Sequence, residues 1–332
     1  MKIPQALCTV PEDFVTDFYM ISSYQQEEEL YYMEQKKNLV TLGSTGITVE
    51  KNSFGALPIQ RISKEAAIGL LRKAYAAGVT FYDTARYYTD SEEKVGAAFE
   101  GMRDKIYIAT KTGATTAEGF WKELHTSLEK LKTDYIDVYL VHWPDPNVAM
   151  EETMDALNQL KKQGKILHAG VSNFTKEQME EANKYCEIEA YQPQFSMVDR
   201  ENEELIHWAH AQDMGVMTYG TLGGGILTGK YRELKTYEAN DNRNRFYPYF
   251  REPLFSKAMK LLSVMDKISK ERNVPLAQIA LNWTLKKEFI SSCITGSQSR
   301  DKIEANCKVF DWELSAEEMQ ILDKAIEEYS RE

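Results

Sequence analysis

Four residues have types and positions that could do proton chemistry together: Asp83, Tyr88, Lys111 and His142. Asp83 closes the apolar approach Val79-Thr80-Phe81-Tyr82, and Tyr88 follows it at an offset of five. Lys111 closes the apolar run Ile106-Tyr107-Ile108-Ala109-Thr110, and His142 closes Tyr135-Ile136-Asp137-Val138-Tyr139-Leu140-Val141. A free tyrosine has a pKa of ~10, too high for easy proton donation at neutral pH. An ammonium beside it favours the phenolate and lowers that pKa, and a carboxylate behind the lysine keeps the lysine charged and fixed. A histidine at the same point can donate a hydrogen bond to a carbonyl oxygen. Together they make a general acid aimed at an oxygen that gains negative charge, as a ketone or aldehyde oxygen does when hydride arrives. No protein group supplies hydride, so this chemistry calls for a nicotinamide cofactor.

Groups delivered from several strand ends need a fold that gathers strand ends. A helical stripe (Ala67, Ile68, Leu71, Ala74, Tyr75) stops at Gly78. Further stripes run through Phe120, Leu124, Leu128 and Leu131, then through Met150, Met154, Leu157 and Leu160 up to Gly164. Ser91 is a candidate N-cap for the segment from Glu92 to Phe99. Thr175 and Gln178 form a capping box. Leu205, Trp208 and Ala209 share another helix. Between the helices lie short apolar runs, giving eight strand candidates from residues 53–58 to 290–295. Strands alternating with helices imply βαβ units and a parallel sheet, and eight units close a (β/α)8 TIM barrel. The alternative, an open doubly wound sheet, should carry GxGxxG after its first strand, and this chain has none. Residues 38–50 alternate around Gly43-Ser44-Thr45-Gly46 and predict a β-hairpin. The interval from Tyr219 to Ile290 is too long for one helix. It holds Gly223-Gly224-Gly225, a polar stretch over 231–251 and two further helices, with Pro275 in the first turn of the second. Ser315 to Tyr329 reads as an acidic amphipathic helix across the outside.

The ordered motifs resemble those of the aldo-keto reductase superfamily. They are Asp83-Thr84-Ala85-x-x-Tyr88 with Ser91-Glu92, Ala109-Thr110-Lys111, Val141-His142-Trp143-Pro144 and Gly170-Val171-Ser172-Asn173-Phe174. Gln192, Tyr219, Leu227-Thr228-Gly229-Lys230-Tyr231 and Gly296 with Asn306 extend the set. The resemblance covers roughly residues 38 to 325, at seven strand ends; each motif alone is weak and the ordered set is strong. It implies a (β/α)8 barrel over residues 38–332, with a β-hairpin at the barrel bottom and additional helices; residues 1–37, where Glu27-Glu28-Glu29 sits among Tyr24, Tyr31 and Tyr32 with no clean period, read as an appended N-terminal extension, partly helical or a loose solvated tail. Tyr88 is then the general acid/base, Lys111 and Asp83 its activating pair, and His142 the carbonyl-orienting residue. Ser172, Asn173 and Gln192 would hold the nicotinamide carboxamide, and Tyr219 would stack on the ring. Gly220, Leu222 and Gly225 would line the pyrophosphate. Gly296, Ser297, Gln298, Arg300, Lys302 and Asn306 fall where the family binds the adenosine half. Trp143, Tyr247 and Tyr249, with Phe246 and Phe250, suggest an aromatic wall over a substrate. A cation at Arg300 or Lys302 could hold a 2'-phosphate, so NADPH is expected over NADH. The chain departs from the family pattern at Thr89, where glycine is common, at Thr295, where proline is common, and at Lys302.

Blander readings stand beside these. Asp83 and Lys111 could form a structural ion pair only, and Tyr87 rivals Tyr88. His125, His168, His207 and His210 read as helix-surface or packing residues, and Cys293 as a small buried hydrophobe. Residues 224–230 match GxxxxGK, but Tyr231 follows where a phosphate loop needs Ser or Thr, which argues against nucleotide hydrolysis. The net charge of −11 makes nucleic acid an unsuitable partner. No apolar run spans a bilayer, no signal peptide is evident, and the four cysteines hold no CxxC pair; a cytoplasmic chain with free thiols and no metal site is the expectation. The expected activity is NAD(P)H-dependent reduction of an aldehyde or ketone, or the reverse oxidation of an alcohol, with a small-molecule substrate as partner. The alternative is a cofactor-binding regulatory subunit on the same fold. A barrel sugar isomerase or lyase would need a metal or carboxylate pair that the chain does not place. Sequence leaves substrate and oligomeric state open.

Overall fold

The structure, a computed structural model, describes residues 38–114, 116–239 and 241–331. The reading of residues 1–37 as an appended segment lies outside the described residues. The described residues from Val40 onward form one compact unit. It opens on a two-stranded hairpin, β1 (Leu39–Thr41) and β2 (Thr48–Glu50), joined through a 3-10 turn at Gly43–Thr45. Eight strands follow: β3 (Asn52–Gly55), β4 (Phe81–Asp83), β5 (Tyr107–Thr112), β6 (Ile136–Val141), β7 (Ile166–Ser172), β8 (Ala190–Gln192), β9 (Gly215–Thr218) and β10 (Ser292–Thr295). They are parallel and close in the order β10-β3-β4-β5-β6-β7-β8-β9. All eight fall within or beside the apolar runs expected to form them.

The helices around the barrel are α1 (Lys64–Ala76), α2 (Ser91–Ala98), α3 (Ala117–Leu131), α4 (Met150–Lys162), α5 (Lys176–Ala182) and α6 (Glu203–Ala211). The long interval holds the short α7 (Asn242–Arg245), then α8 (Leu254–Arg272) and α9 (Leu276–Leu285). The chain ends through α10 (Arg300–Cys307) and α11 (Ala316–Ser330). The Thr175–Gln178 capping box on α5 is formed, and Ser315–Glu318 makes a second on α11. α11 packs on α8 with Leu322, Ala325, Ile326 and Tyr329 buried.

Two local expectations are corrected. Ser91 is not an N-cap but the first residue of α2; its hydroxyl accepts from Thr84 Oγ1 at 2.9 Å and donates to the Ala56 carbonyl at 3.0 Å. Burial gave that hydroxyl more distant partners than its own helix end. Pro275 is the N-cap of α9 rather than within its first turn. His168 lies on β7, within the run expected as a strand, and its Nδ1 pairs with Glu189 at 2.7 Å.

A barrel strand has apolar residues on both faces, and period two assigns them. Phe81, Ala109, Val138, Leu140, Ala190, Met217 and Ile294 fill the interior, where Leu42, Ile47 and Val49 of the hairpin segment join them from below. Tyr82, Ile108, Tyr139, Val141 and Val171 face the helices. Leu42 presses so closely on β9 that a Cβ at Gly215 would stand 2.5 Å from Leu42 Cγ.

Candidate active site

One pleat above the apolar interior layer, the same period places a polar layer. Asp83 stands two residues beyond Phe81, Lys111 beyond Ala109, His142 beyond Leu140, Gln192 beyond Ala190 and Tyr219 beyond Met217. Ser172 belongs to the same face of β7 as Gly170. Each is at the carboxyl end of its strand, the end where loops can build a site on a rigid base.

Lys111 is fully buried. Its ammonium donates to both Asp83 oxygens at 2.8 and 2.9 Å and to the Thr84 carbonyl at 2.7 Å. The Asp83 carboxylate balances this buried charge, and a hydrogen bond with the Tyr88 hydroxyl joins these acceptors. Its Nζ also lies 5.1 Å from the centre of the Tyr88 ring. Tyr88 reaches that place through a turn rather than a strand: its N–H donates to Ala85 O at 3.0 Å, and its carbonyl accepts from Ser91 N at 2.7 Å. The imidazole of His142 stands edge-on to Tyr88 with ring centres 6.1 Å apart.

The electrostatics differ from expectation in one respect. Lys111 does pull the Tyr88 phenol toward ionisation, but burial is the larger effect, so its pKa lies above that of free tyrosine. Burial first, then Lys111, pushes the His142 pKa down to about 3. Its imidazole is therefore neutral at ordinary pH. Its Nδ1 is buried and has no hydrogen-bond partner among the described residues. A neutral imidazole with an unsatisfied nitrogen suits an uncharged polar ligand atom.

A second network runs beside the first. Asn173, at φ 62°, donates through Nδ2 to His142 O and to Ser172 Oγ, each at 3.0 Å. Its Oδ1 accepts from Tyr219 OH at 2.8 Å, and Ser172 Oγ donates to Gln192 O at 2.8 Å. Gln192 Nε2 donates to Asp83 Oδ1 at 2.9 Å, which joins the two networks. Hydroxyl and amide groups in a row offer both donors and acceptors, as a carboxamide requires. Beyond Tyr219 the backbone turns through left-handed φ at Gly220 (69°), Gly224 (58°) and Gly225 (99°). A Cβ at Gly224 would stand 2.5 Å from the Tyr247 ring, so that ring lies directly on bare backbone. Leu222 is half-buried in the same turn.

The residues expected on the adenosine side run from the end of β10, at residues 296–298, along α10 from Arg300 to Asn306. A Cβ at Gly296 would stand 2.4 Å from Gly55 O, which explains the glycine. Ser297 and Asn306 are buried, and Gln298 Nε2 donates to Pro58 O at 3.3 Å. Arg300 and Lys302 are exposed and carry no ion pair among the described residues. Of the aromatic residues, Trp143 is 51% exposed with its ring stacked on His142 at 6.5 Å. Tyr247 is half-buried. Tyr249 is instead fully buried, stacked beneath Tyr247 at 5.5 Å, so it supports the wall rather than facing the opening. The Thr84 carbonyl, the third acceptor for Lys111, escaped sequence reading because a main-chain acceptor leaves no mark on residue type.

The sequence profile of the Aldo/keto reductase family matches residues 41–327. The chain is 32% identical over 313 residues to "Aldo-keto reductase YhdN" of Bacillus subtilis, covering 86% of this chain and 93% of that protein. It is 25% identical over 327 residues to an NADH-specific methylglyoxal reductase of Escherichia coli, covering 88% and 99%. Among solved structures it superimposes on the glycerol dehydrogenase of Gluconobacter oxydans with a TM-score of 0.81 at 25% identity, covering 88% of this chain and 96% of that one.

Proposed function

The chain belongs to the aldo/keto reductase family, and from that premise we propose that it is an NADP(H)-dependent reductase of aldehydes or ketones in which Tyr88 is the general acid/base. One observation carries the reading: the Lys111 ammonium is held by Asp83 and Thr84 at the ring of Tyr88, with neutral His142 edge-on to that ring.

The bound nicotinamide would supply the hydride. The chain's own residues do the rest. As the carbonyl oxygen gains charge, the Tyr88 phenol gives it a proton. Lys111 stabilises the phenolate left behind, and Asp83 keeps Lys111 from turning away. Tyr88 stays protonated until that moment because burial holds its pKa up. His142 offers an N–H to the same oxygen without bringing a charge that would compete with Lys111. Ser172, Asn173 and Gln192 hold the carboxamide, and Tyr219 lies against the ring. Gly220, Leu222 and Gly225 take the pyrophosphate, and Gly296, Ser297, Gln298 and Asn306 the adenosine. Arg300 and Lys302, two exposed cations with no ion pair among the described residues, favour the 2'-phosphate of NADPH. Trp143 and Tyr247 border the opening where a small carbonyl substrate enters.

The test is a panel of aldehydes and ketones with NADPH and NADH side by side, followed by loss of reduced-nicotinamide absorbance. Turnover with a lower KM for NADPH is the expected result. Binding of cofactor without turnover on any carbonyl would overturn it.

A further inference from the structure

Asp199 is a half-buried carboxylate with no role in the chemistry above. It lies in the turn after β8, where Ser196 and Asp199 exchange backbone hydrogen bonds at 2.8 and 3.1 Å. Its Oδ2 accepts from Gln194 Nε2 at 2.5 Å. Gln194 in turn sits under the next strand end. It forms a parallel bridge with Tyr219, and a Cβ at Gly220 would stand 3.3 Å from its Cγ. Asn202 fixes the Gln194 carbonyl at 3.1 Å, so the Gln194 backbone is pinned and only its amide can turn. Val198, in the same turn, lies against Gly223: a Cβ there would stand 2.8 Å from Val198 Cγ2. The Asp199 turn is thus the floor on which the Tyr219–Gly225 segment rests.

We propose that Asp199 is a positioning residue that, by holding the Gln194 amide beneath Gly220, sets how firmly the Tyr219–Gly225 segment grips a dinucleotide, and that the grip loosens when Asp199 takes up a proton. This rests on the reading that Tyr219 and Gly220 face the cofactor. The ionised carboxylate accepts the amide N–H in a charge-assisted bond, about twice as strong as a neutral one. The protonated acid leaves the amide N–H only a neutral acceptor oxygen, so the hold on Gln194 weakens. Among the described residues no cation pairs with Asp199. Arg200, next in the chain, donates to Glu203 at 2.6 Å. The other groups that face it are Glu201 on its own turn, Tyr219 after β9, Tyr247 and Tyr249 above, and Tyr329 of α11. The four phenols are all pushed up by burial and stay neutral. Burial, with Glu201 beside it, raises the Asp199 carboxyl to about 6. It is the group in this cluster that titrates under mild conditions.

The experiment measures NADH affinity by fluorescence on the full chain across a range bracketing about pH 6. NADH is the probe because it lacks the 2'-phosphate, which titrates itself. Wild type is expected to bind roughly fivefold more weakly at the acid end, as a charge-assisted bond gives way to a neutral one. Asp199→Asn should bind with no inflection, because its amide does not titrate. Gln194→Met, which leaves the carboxylate in place, should lose the inflection as well and bind more weakly throughout. A merely structural role would shift thermal stability in both variants and leave the inflection in place. Retention of the wild-type inflection in either variant, or a flat wild-type profile with normal binding, overturns the proposal alone. Failure of wild type to bind NADH or NADPH at any pH overturns the dinucleotide reading and this proposal with it.

Discussion

Tyr88 is the residue on which the proposed chemistry turns, and its neighbours divide the work in a way that can be measured. Tyr88→Phe removes the proton donor and keeps the ring beside Lys111. It should lower kcat by about 10³-fold or more, within the range for loss of a general acid, while the dissociation constant for NADPH stays within about twofold. Stopped-flow turnover and fluorescence titration of the same preparation separate the two. The pH profile of kcat for carbonyl reduction, at saturating cofactor and substrate, gives a second check. His142 is neutral down to about pH 3, and the Tyr88 phenol is raised above that of free tyrosine. The profile should therefore lack an acid limb near the ordinary histidine pKa of about 6.5 and should fall only in alkali. An acid limb there that disappears in His142→Gln would show that the imidazole works in its charged form. The residue types of this site were legible in sequence because each closes an apolar run. What sequence could not supply was the balance of effects on Tyr88: an ammonium lowers the phenol pKa, burial raises it, and only coordinates say which is larger.

The elements that carry these residues are placed by contacts closer than side chains allow. Gly96 shows this at the junction of α2 and α3: a Cβ there would stand 2.2 Å from Lys130 O and 2.7 Å from Leu131 Cα, all backbone. α2 begins just after Tyr88 and donates Ser91 N–H to the Tyr88 carbonyl. Gly96→Ala must push the two helices apart and should cost about 1–3 kcal/mol, the usual penalty of overpacking. Its urea midpoint should fall accordingly. If the displacement travels along α2, kcat should fall with it; a stability loss with unchanged kcat would show that α2 yields at its far end. In sequence, Gly96 was simply a residue inside a helical pattern. The strands were legible because period two and apolar content agree, as in β6, where all six residues are buried. Ser91 misled because a serine before a helical stripe suits a cap, and nothing local records that its hydroxyl serves Ala56 instead.

At the scale of the whole molecule, the barrel keeps chemistry at one end and anchoring at the other, and the two should respond to different mutations. Glu189 lies at the lower end, just before β8. It accepts from His168 Nδ1 at 2.7 Å and Ala169 N at 3.1 Å, and pairs with Lys161 of α4. It therefore ties β7, β8 and α4 together. Burial would raise its pKa, but His168, Lys161 and the Ala169 amide together hold it below the ordinary 4.5. A carboxyl lowered on folding contributes stability that is present above its unfolded pKa and lost as pH falls through its folded one. Glu189→Gln should therefore lower stability at neutral pH, by about 1–3 kcal/mol for the charged hydrogen bonds it gives up. The difference from wild type should shrink once the pH is taken below the folded pKa of Glu189. Urea unfolding at neutral and acid pH measures both. Throughout, NADPH affinity and kcat at neutral pH should stay within about twofold of wild type, since the C-terminal ends of the strands, not the N-terminal ends, hold the site. A stability gap that persists in acid would mean that the loss comes from packing around Glu189 rather than from its charge.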